Sequence, residues 1–235
     1  MIEKAFTPEA WAQAIQIVKS EFLMGVWETF YVTVVATLIA MAIGLPLGVL
    51  LVTGDKDGIL PLPRVLMQIV NVVINILRSI PFLILMIVVI PFTRLIVGTM
   101  VGTTASIVPL TIAAFPFVAR LYESSLREVN PNIIEAAQSM GASPLQIICK
   151  VMIPESFPSL ISNTTIAITT ILGYSAMSGI IGGGGLGQIA INYGYYRYKF
   201  LIMILAVILL VLMVQVFQSI GTALATKTDK RLKTK

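Results

Sequence analysis

Five stretches of this chain are apolar for about twenty residues each, the length a helix needs to cross a bilayer. They cover about Thr29–Val52, Val65–Ile90, Ala105–Leu121, Leu160–Ile181 and Phe200–Ile220. Only 11% of the 235 residues are charged and 57% are hydrophobic, whereas soluble domains are about 25% charged. The expected fold is all-α and integral to the membrane, with five transmembrane helices and a single domain.

The spans differ in character. In the first, Gly44-x-x-x-Gly48 offers a neighbouring helix a close approach, or Pro46 between the glycines kinks it. The turn Gly54 to Gly58 and then Pro61 and Pro63 close it. Arg78-Ser79-Ile80-Pro81 interrupts the second span, and a polar stretch from Pro91 to Thr104 follows. Pro109 and Pro116 in the third free carbonyls that other helices or a cavity must satisfy. The fourth is polar for a span, with Ser162, Asn163, Thr164, Thr165, Thr169 and Thr170. Its Asn-Thr-Thr sequon is discounted at membrane depth. The fifth is unbroken and ends in a basic tail, residues 223–235.

Charge orients the chain. Ten Lys and Arg lie in 54–64, 120–150 and 227–235, against five in 1–28, 92–104 and 182–199. Basic residues collect on the cytoplasmic side, so the N-terminus is expected outside and the C-terminus inside. Residues 1–24 carry acidic groups and too short an apolar core for a cleavable signal. Thr7 and Pro8 can start a helix there, with Trp11, Ile15, Val18 and Phe22 on one face. It reads as an extracytoplasmic amphipathic segment on the membrane surface, or as the frayed start of the first span.

The longest interruption between spans, Asn130 to Pro158, is built of helix signals. Asn130 caps a helix opening at Pro131, with Ile133, Ile134, Ala137 and Met140 on roughly one face and Gly141 ending it. Ser143 and Pro144 start a second helix, expected to run to Pro154. A short, rigid, small-residue helix outside the bilayer suits a partner's socket; alone, it is also what an ordinary surface helix looks like.

The spacing Glu135-Ala136-Ala137, Gly141, then Val151-Met152-Ile153-Pro154 resembles the EAA loop of binding-protein-dependent ABC transporter permeases. That family's pattern ends Ile-x-Leu-Pro, so this chain differs by apolar swaps. The resemblance implies the type I importer permease fold over 25–222, with residues 130–158 as the coupling helix docking into a cytoplasmic ATPase. Coupling would fall to Glu135, Ala136, Ala137, Met140, Gly141, Ile153 and Pro154. Asn75 to Phe82, Ile90 to Arg94, and Leu172 to Met177 with its glycine run resemble the permease subunits of bacterial methionine importers. In that family two identical permeases join two ATPases, and an external lipoprotein delivers methionine. The implied setting is the bacterial inner or plasma membrane, with lipid but no nucleic acid as partner. No cofactor is expected on this chain, ATP and magnesium belonging to the partner ATPase.

The resemblance puts Tyr174 and Met177 at the outer constriction of a pathway. A soft Met beside an aromatic suits a passing thioether. Asn163, Thr165 and Thr169 are the further candidates for its lining. Each has a plainer reading, because Tyr174 and Met177 can be packing residues and the threonines can bond between helices. Arg78, placed within a span, is a candidate for holding a substrate carboxylate, or it snorkels to the cytoplasmic edge.

Other classes fit poorly. No G-x-x-x-x-G-K-[ST] occurs, so ATP must be used on another chain. Gly182, Gly184 and Gly187 satisfy the dinucleotide fingerprint but follow a span rather than a strand, and a compact bend explains them. A stand-alone ion-coupled transporter or channel would carry carboxylates or His in its spans. An intramembrane enzyme lacks its groups, as there is no His and only Cys149. A permease for another amino acid stays open.

Overall fold

The computed structural model describes residues 7–229, and among them every regular element is a helix. Helix α1 (Pro8–Ile17) passes through a π turn at Val18–Phe22 into α2 (Leu23–Thr53). Then come α3 (Arg64–Ser79), α4 (Phe82–Val97), α5 (Thr103–Arg127) and α6 (Pro131–Ser139). Helix α7 (Pro144–Ile147) joins α8 (Ile153–Ser178) through a second π turn, Ile148–Met152. A 3₁₀ turn (Gly179–Ile181), α9 (Gly185–Ile189), a third π segment (Ala190–Tyr196) and α10 (Phe200–Thr228) complete it.

Four continuous helical stretches are long and apolar enough to span: Trp11–Thr53, Thr103–Arg127, Pro144–Ile181 and Phe200–Thr228. Helices α3 and α4 supply a fifth crossing only if taken together. The expected second span is therefore broken. Pro81 disfavours helical backbone at the residue before it, and Ile80 is extended, with φ −77° and ψ 125°. Helix α4 then runs on through Pro91 to Val97, into what was expected to be a polar connection.

From Pro8 onward the N-terminal segment is helical and continuous with the first span, as its reading as the start of that span expects. The 43 residues from Trp11 to Thr53 make a rod of about 65 Å at 1.5 Å per residue. That exceeds the roughly 45 Å of a whole bilayer, so an upright helix of this length extends beyond the hydrocarbon.

The chain forms two compact units, and α2, α5, α8 and α10 each contribute a part to both. One comprises Met1–Thr37, Pro81–Ile112 and Ile168–Phe217. Its core joins Ala14 and Phe22 to Leu186, Ile189, Leu201, Ile202 and Ala206. Phe30 stacks on Phe217 at its surface, ring centroids 5.9 Å apart.

The other comprises Leu38–Ile80, Ala113–Ala167 and Gln218–Lys235. Here Gly44 and Gly48 face α5, and an added Cβ would lie 2.7 Å from a Val118 methyl and 2.9 Å from the Tyr122 Cβ. The small-residue pair thus serves close approach of α2 to α5. Leu51, Ile74 and Ala119 form one cluster in this unit, while Leu126, Ala137, Ile147, Ile148 and Met152 form another.

Candidate coupling and pathway sites

The loop from Asn130 folds as its residues dictate. Asn130 Oδ1 accepts the Asn132 N–H at 3.0 Å, and Pro131 occupies the first turn, where its missing N–H costs nothing. At the other end Gly141 has φ +79°. Its N–H donates to Gln138 O at 2.9 Å, and the Ala142 N–H donates to Ala137 O at 3.1 Å. That pair of bonds is the Schellman motif, which stops a helix at a left-handed residue. Ser143 and Gln146 then form a capping box that starts α7.

The second loop helix does not stop at Pro154. The Ile153 N–H reaches back to Ile148 O, a π-type bond that widens the turn ahead of the proline ring. The chain then continues as one helix to Ser178.

The two faces of α6 are unlike. Ile134 and Ala137 pack on Leu126, Ile147 and Met152, which fixes α6 beneath the end of α5. Ala137 is therefore a packing residue, small because it is buried against its own chain. Glu135, Ala136, Met140 (81% exposed) and Gly141 lie on the surface, next to Ile133 and Leu145 (72% exposed). Pro154 is exposed and Ile153 half-buried. The projecting face thus carries apolar side chains, Met140, Leu145 and Ile133, around a flat centre at Ala136 and Gly141. Such a ridge buries well in a groove and poorly in water.

The polar residues of α8 divide by what they touch. Asn163 donates to Leu121 O at 3.0 Å and to Ser125 Oγ at 2.7 Å. Thr164 bonds the Tyr122 hydroxyl at 2.7 Å, and Ser159 donates to Ser125 Oγ at 3.1 Å. Thr165 is buried and fills the space at Gly221, where an added Cβ would stand 1.9 Å from its Oγ1. Asn163 and Thr165 therefore tie α8 to α5 and α10 within the chain. Thr169 is half-buried. Near the end of α8, Tyr174 stacks on Phe82 with ring centroids 4.6 Å apart, and Met177 is 45% exposed.

Arg78 lies in the last turn of α3, at the break before α4, and is exposed on the single chain. A cation at a helix C-terminus is favoured by the macrodipole. The charge the sequence reading passed over is Arg120. It donates to Glu123 at 2.7 Å, to Asn71 Oδ1 at 2.7 Å and to Asn75 Oδ1 at 3.2 Å, linking α5 to α3. Glu123 also accepts from Arg127 at 3.0 Å, and Arg127 reaches Asp55 at 3.1 Å. Backbone and Arg127 hydrogen bonds hold the Asp55 carboxyl below its ordinary range. The signal was the helical spacing of Gln68, Asn71, Asn75 and Arg78, a polar stripe on α3. Arg120→Ala strips these acceptors of their donor and should cost about 2–3 kcal/mol. Arg120→Lys should recover part of the loss, since one ammonium cannot reproduce the guanidinium fork. Thermal unfolding in detergent measures both.

The family model of the "Binding-protein-dependent transport system inner membrane component" matches residues 44–233. The chain belongs to this family. The match contains the whole EAA loop. A "Probable D-methionine transport system permease protein" of Vibrio cholerae is 51% identical over 212 residues, 89% of this chain and 92% of that one. The D-methionine transport system permease protein of Escherichia coli K12 is 48% identical over 155 residues, 66% of this chain and 71% of that one. Among solved structures, an inward-facing methionine ABC transporter matches with a TM-score of 0.86 and 45% identity, covering 88% of this chain and 96% of that chain. An amino acid ABC transporter at 19% identity and TM-score 0.72 shares the fold. As a binding-protein-dependent inner membrane component, the chain is an all-helical transport subunit and not an enzyme, as its sequence led one to expect.

Proposed function

We propose that this chain is the permease subunit of an ATP-driven methionine importer. The observation that carries the reading is 46–51% identity to three D-methionine permease relatives, each covering 87–89% of this chain. A chain with so few spans encloses little on its own, and two-fold pairing with a second copy builds a pathway at the axis. The exposed face of α6 and α7, with Glu135, Ala136, Met140 and Gly141, docks on an ATPase subunit, one per permease. Ala137 and Ile153 hold that face in place from behind, and Pro154 lies exposed where α8 begins. ATP and magnesium bind the ATPase, whose closure moves the paired coupling helices and switches the pathway between inward- and outward-facing states.

Tyr174 and Met177 form the constriction in this reading. Met177 offers the polarizable, adaptable surface a thioether side chain passes over. Thr169 continues the lining, while Asn163 and Thr165 keep α8 straight against its neighbours. An extracytoplasmic binding lipoprotein delivers the substrate to the outer face.

The test is uptake by cells lacking their own methionine permease genes, supplied with this chain and its ATPase and binding protein. Labelled D- and L-methionine should accumulate and be displaced by unlabelled methionine, but not by equal amounts of histidine or glutamate. Accumulation displaced equally by all four would remove methionine from the account and leave the permease assignment standing.

A further inference from the structure

The glycine run after α8 is held from α2. Glu28 accepts the Gly185 N–H through Oε2 at 2.7 Å, and the adjacent Thr29 accepts the Leu186 N–H through Oγ1 at 2.9 Å. Gln188 takes the Gly184 N–H at 2.7 Å. The amides of Gly184, Gly185 and Leu186 thus meet side-chain acceptors, two of them from the spanning helix α2. The same run is fastened from α5: Ser106 donates to Gly183 O at 3.0 Å, and the Gly102 N–H donates to Gly182 O at 2.9 Å.

Helix α9 in turn lies directly on the last turns of α8. A Cβ on Gly187 would be 2.3 Å from the Ala176 carbonyl oxygen, and one on Gly179 would be 2.4 Å from the Gln188 nitrogen. Ala176 stands between Tyr174 and Met177, so where α9 sits decides where that turn of α8 can sit. A carboxylate on a spanning helix is costly unless something uses it. Here it serves the positive end of α9.

We propose that Glu28 and Thr29 are positioning residues for the outer constriction. They clamp α9 against Ala176 and thereby hold Tyr174 and Met177 in the closed arrangement. The proposal rests on the reading of Met177 as part of the constriction.

The test uses the whole importer in a Cys149→Ser background, with Met177→Cys labelled from outside by a membrane-impermeant maleimide. In the nucleotide-free complex, Glu28→Ala should raise the labelling rate about tenfold, the shift that loss of one charge-assisted hydrogen bond produces. Glu28→Gln keeps an acceptor oxygen in place and should label within about twofold of the parent, since a neutral acceptor gives up only part of that bond. Thr29→Val removes the second acceptor at nearly constant volume and should move labelling in the direction of Glu28→Ala; it is read the same way if Glu28→Ala does not accumulate.

Parent-rate labelling in assembled Glu28→Ala or Thr29→Val complexes would overturn the clamp. So would Glu28→Gln labelling as fast as Glu28→Ala. If Met177→Cys labels equally with and without nucleotide when Glu28 is native, the constriction reading fails first and takes the clamp with it.

Discussion

Gly141→Asp is expected to leave the chain in its membrane and abolish recovery of the ATPase with it. Gly141 has φ +79°, and nothing lies within 4 Å of a Cβ placed there. The site therefore has room, and Asp and Asn are the side chains that tolerate left-handed backbone best. The Schellman end of α6 should survive both. What differs is charge. Gly141 stands on the exposed face beside Met140, and an apolar groove closing over it would have to desolvate a carboxylate without a partner. That penalty is several kcal/mol, enough to lose a complex during purification. Gly141→Asn adds the same volume without the charge and should retain the ATPase at more than half the native yield, as a neutral polar group costs only about 1–3 kcal/mol to bury. Copurification from detergent with tagged protein, all three compared, makes the measurement. Equal loss with Asn and Asp would mean that α6 fails through its backbone. Full recovery with Asp would remove Gly141 from the docking surface.

Gly187→Ala should be the most damaging single-methyl change in the outer glycine run. Its Cβ would meet the Ala176 oxygen at 2.3 Å and the Ala176 Cα at 2.6 Å, backbone atoms that cannot swing away as a side chain could. Overpacking a backbone contact costs about 3 kcal/mol or more, which in a chain of this size lowers Tm by roughly 6–12 °C. Gly173→Ala is the control, in the same helix that Gly187 touches, with nothing within 4 Å of its Cβ. There the helix propensity of alanine should be neutral or stabilising by up to about 1 kcal/mol. Unfolding followed by size-exclusion chromatography after heating separates the two, and similar melting would show that α9 can shift off α8 freely.

Local chemistry was readable in advance, and long-range packing was not. Asn130, Pro131, Gly141 and Ser143 each act within four residues of themselves, so their spacing alone placed both loop helices. Which face of α6 turns inward depends on Leu126 and Ile147, whose arrival no periodicity announces, so Ala137 was assigned to the docking surface when it packs against its own chain. Ala137 and Ala136 look alike in sequence, and only burial tells them apart. Pro81 carried the local evidence for the break beside Arg78, but not the size of the bend, which is 110° between α3 and α4. Pro154 misled the other way, since a π turn absorbs the proline that was expected to end the helix. Asn71, a partner of Arg120, and Gly185, the partner of Glu28, lie 49 and 157 residues away in sequence, so neither pairing shows as a pattern within one helix.

The central claim, an ATP-driven methionine permease, is tested most directly in sealed vesicles holding the purified permease and its ATPase, with the binding protein and labelled methionine on the side opposite the ATPase. The account predicts that labelled methionine accumulates only when ATP and magnesium reach the ATPase, and that Gly141→Asp abolishes accumulation. Methionine accumulation by the permease alone, driven by a proton or sodium gradient without the ATPase, would contradict it.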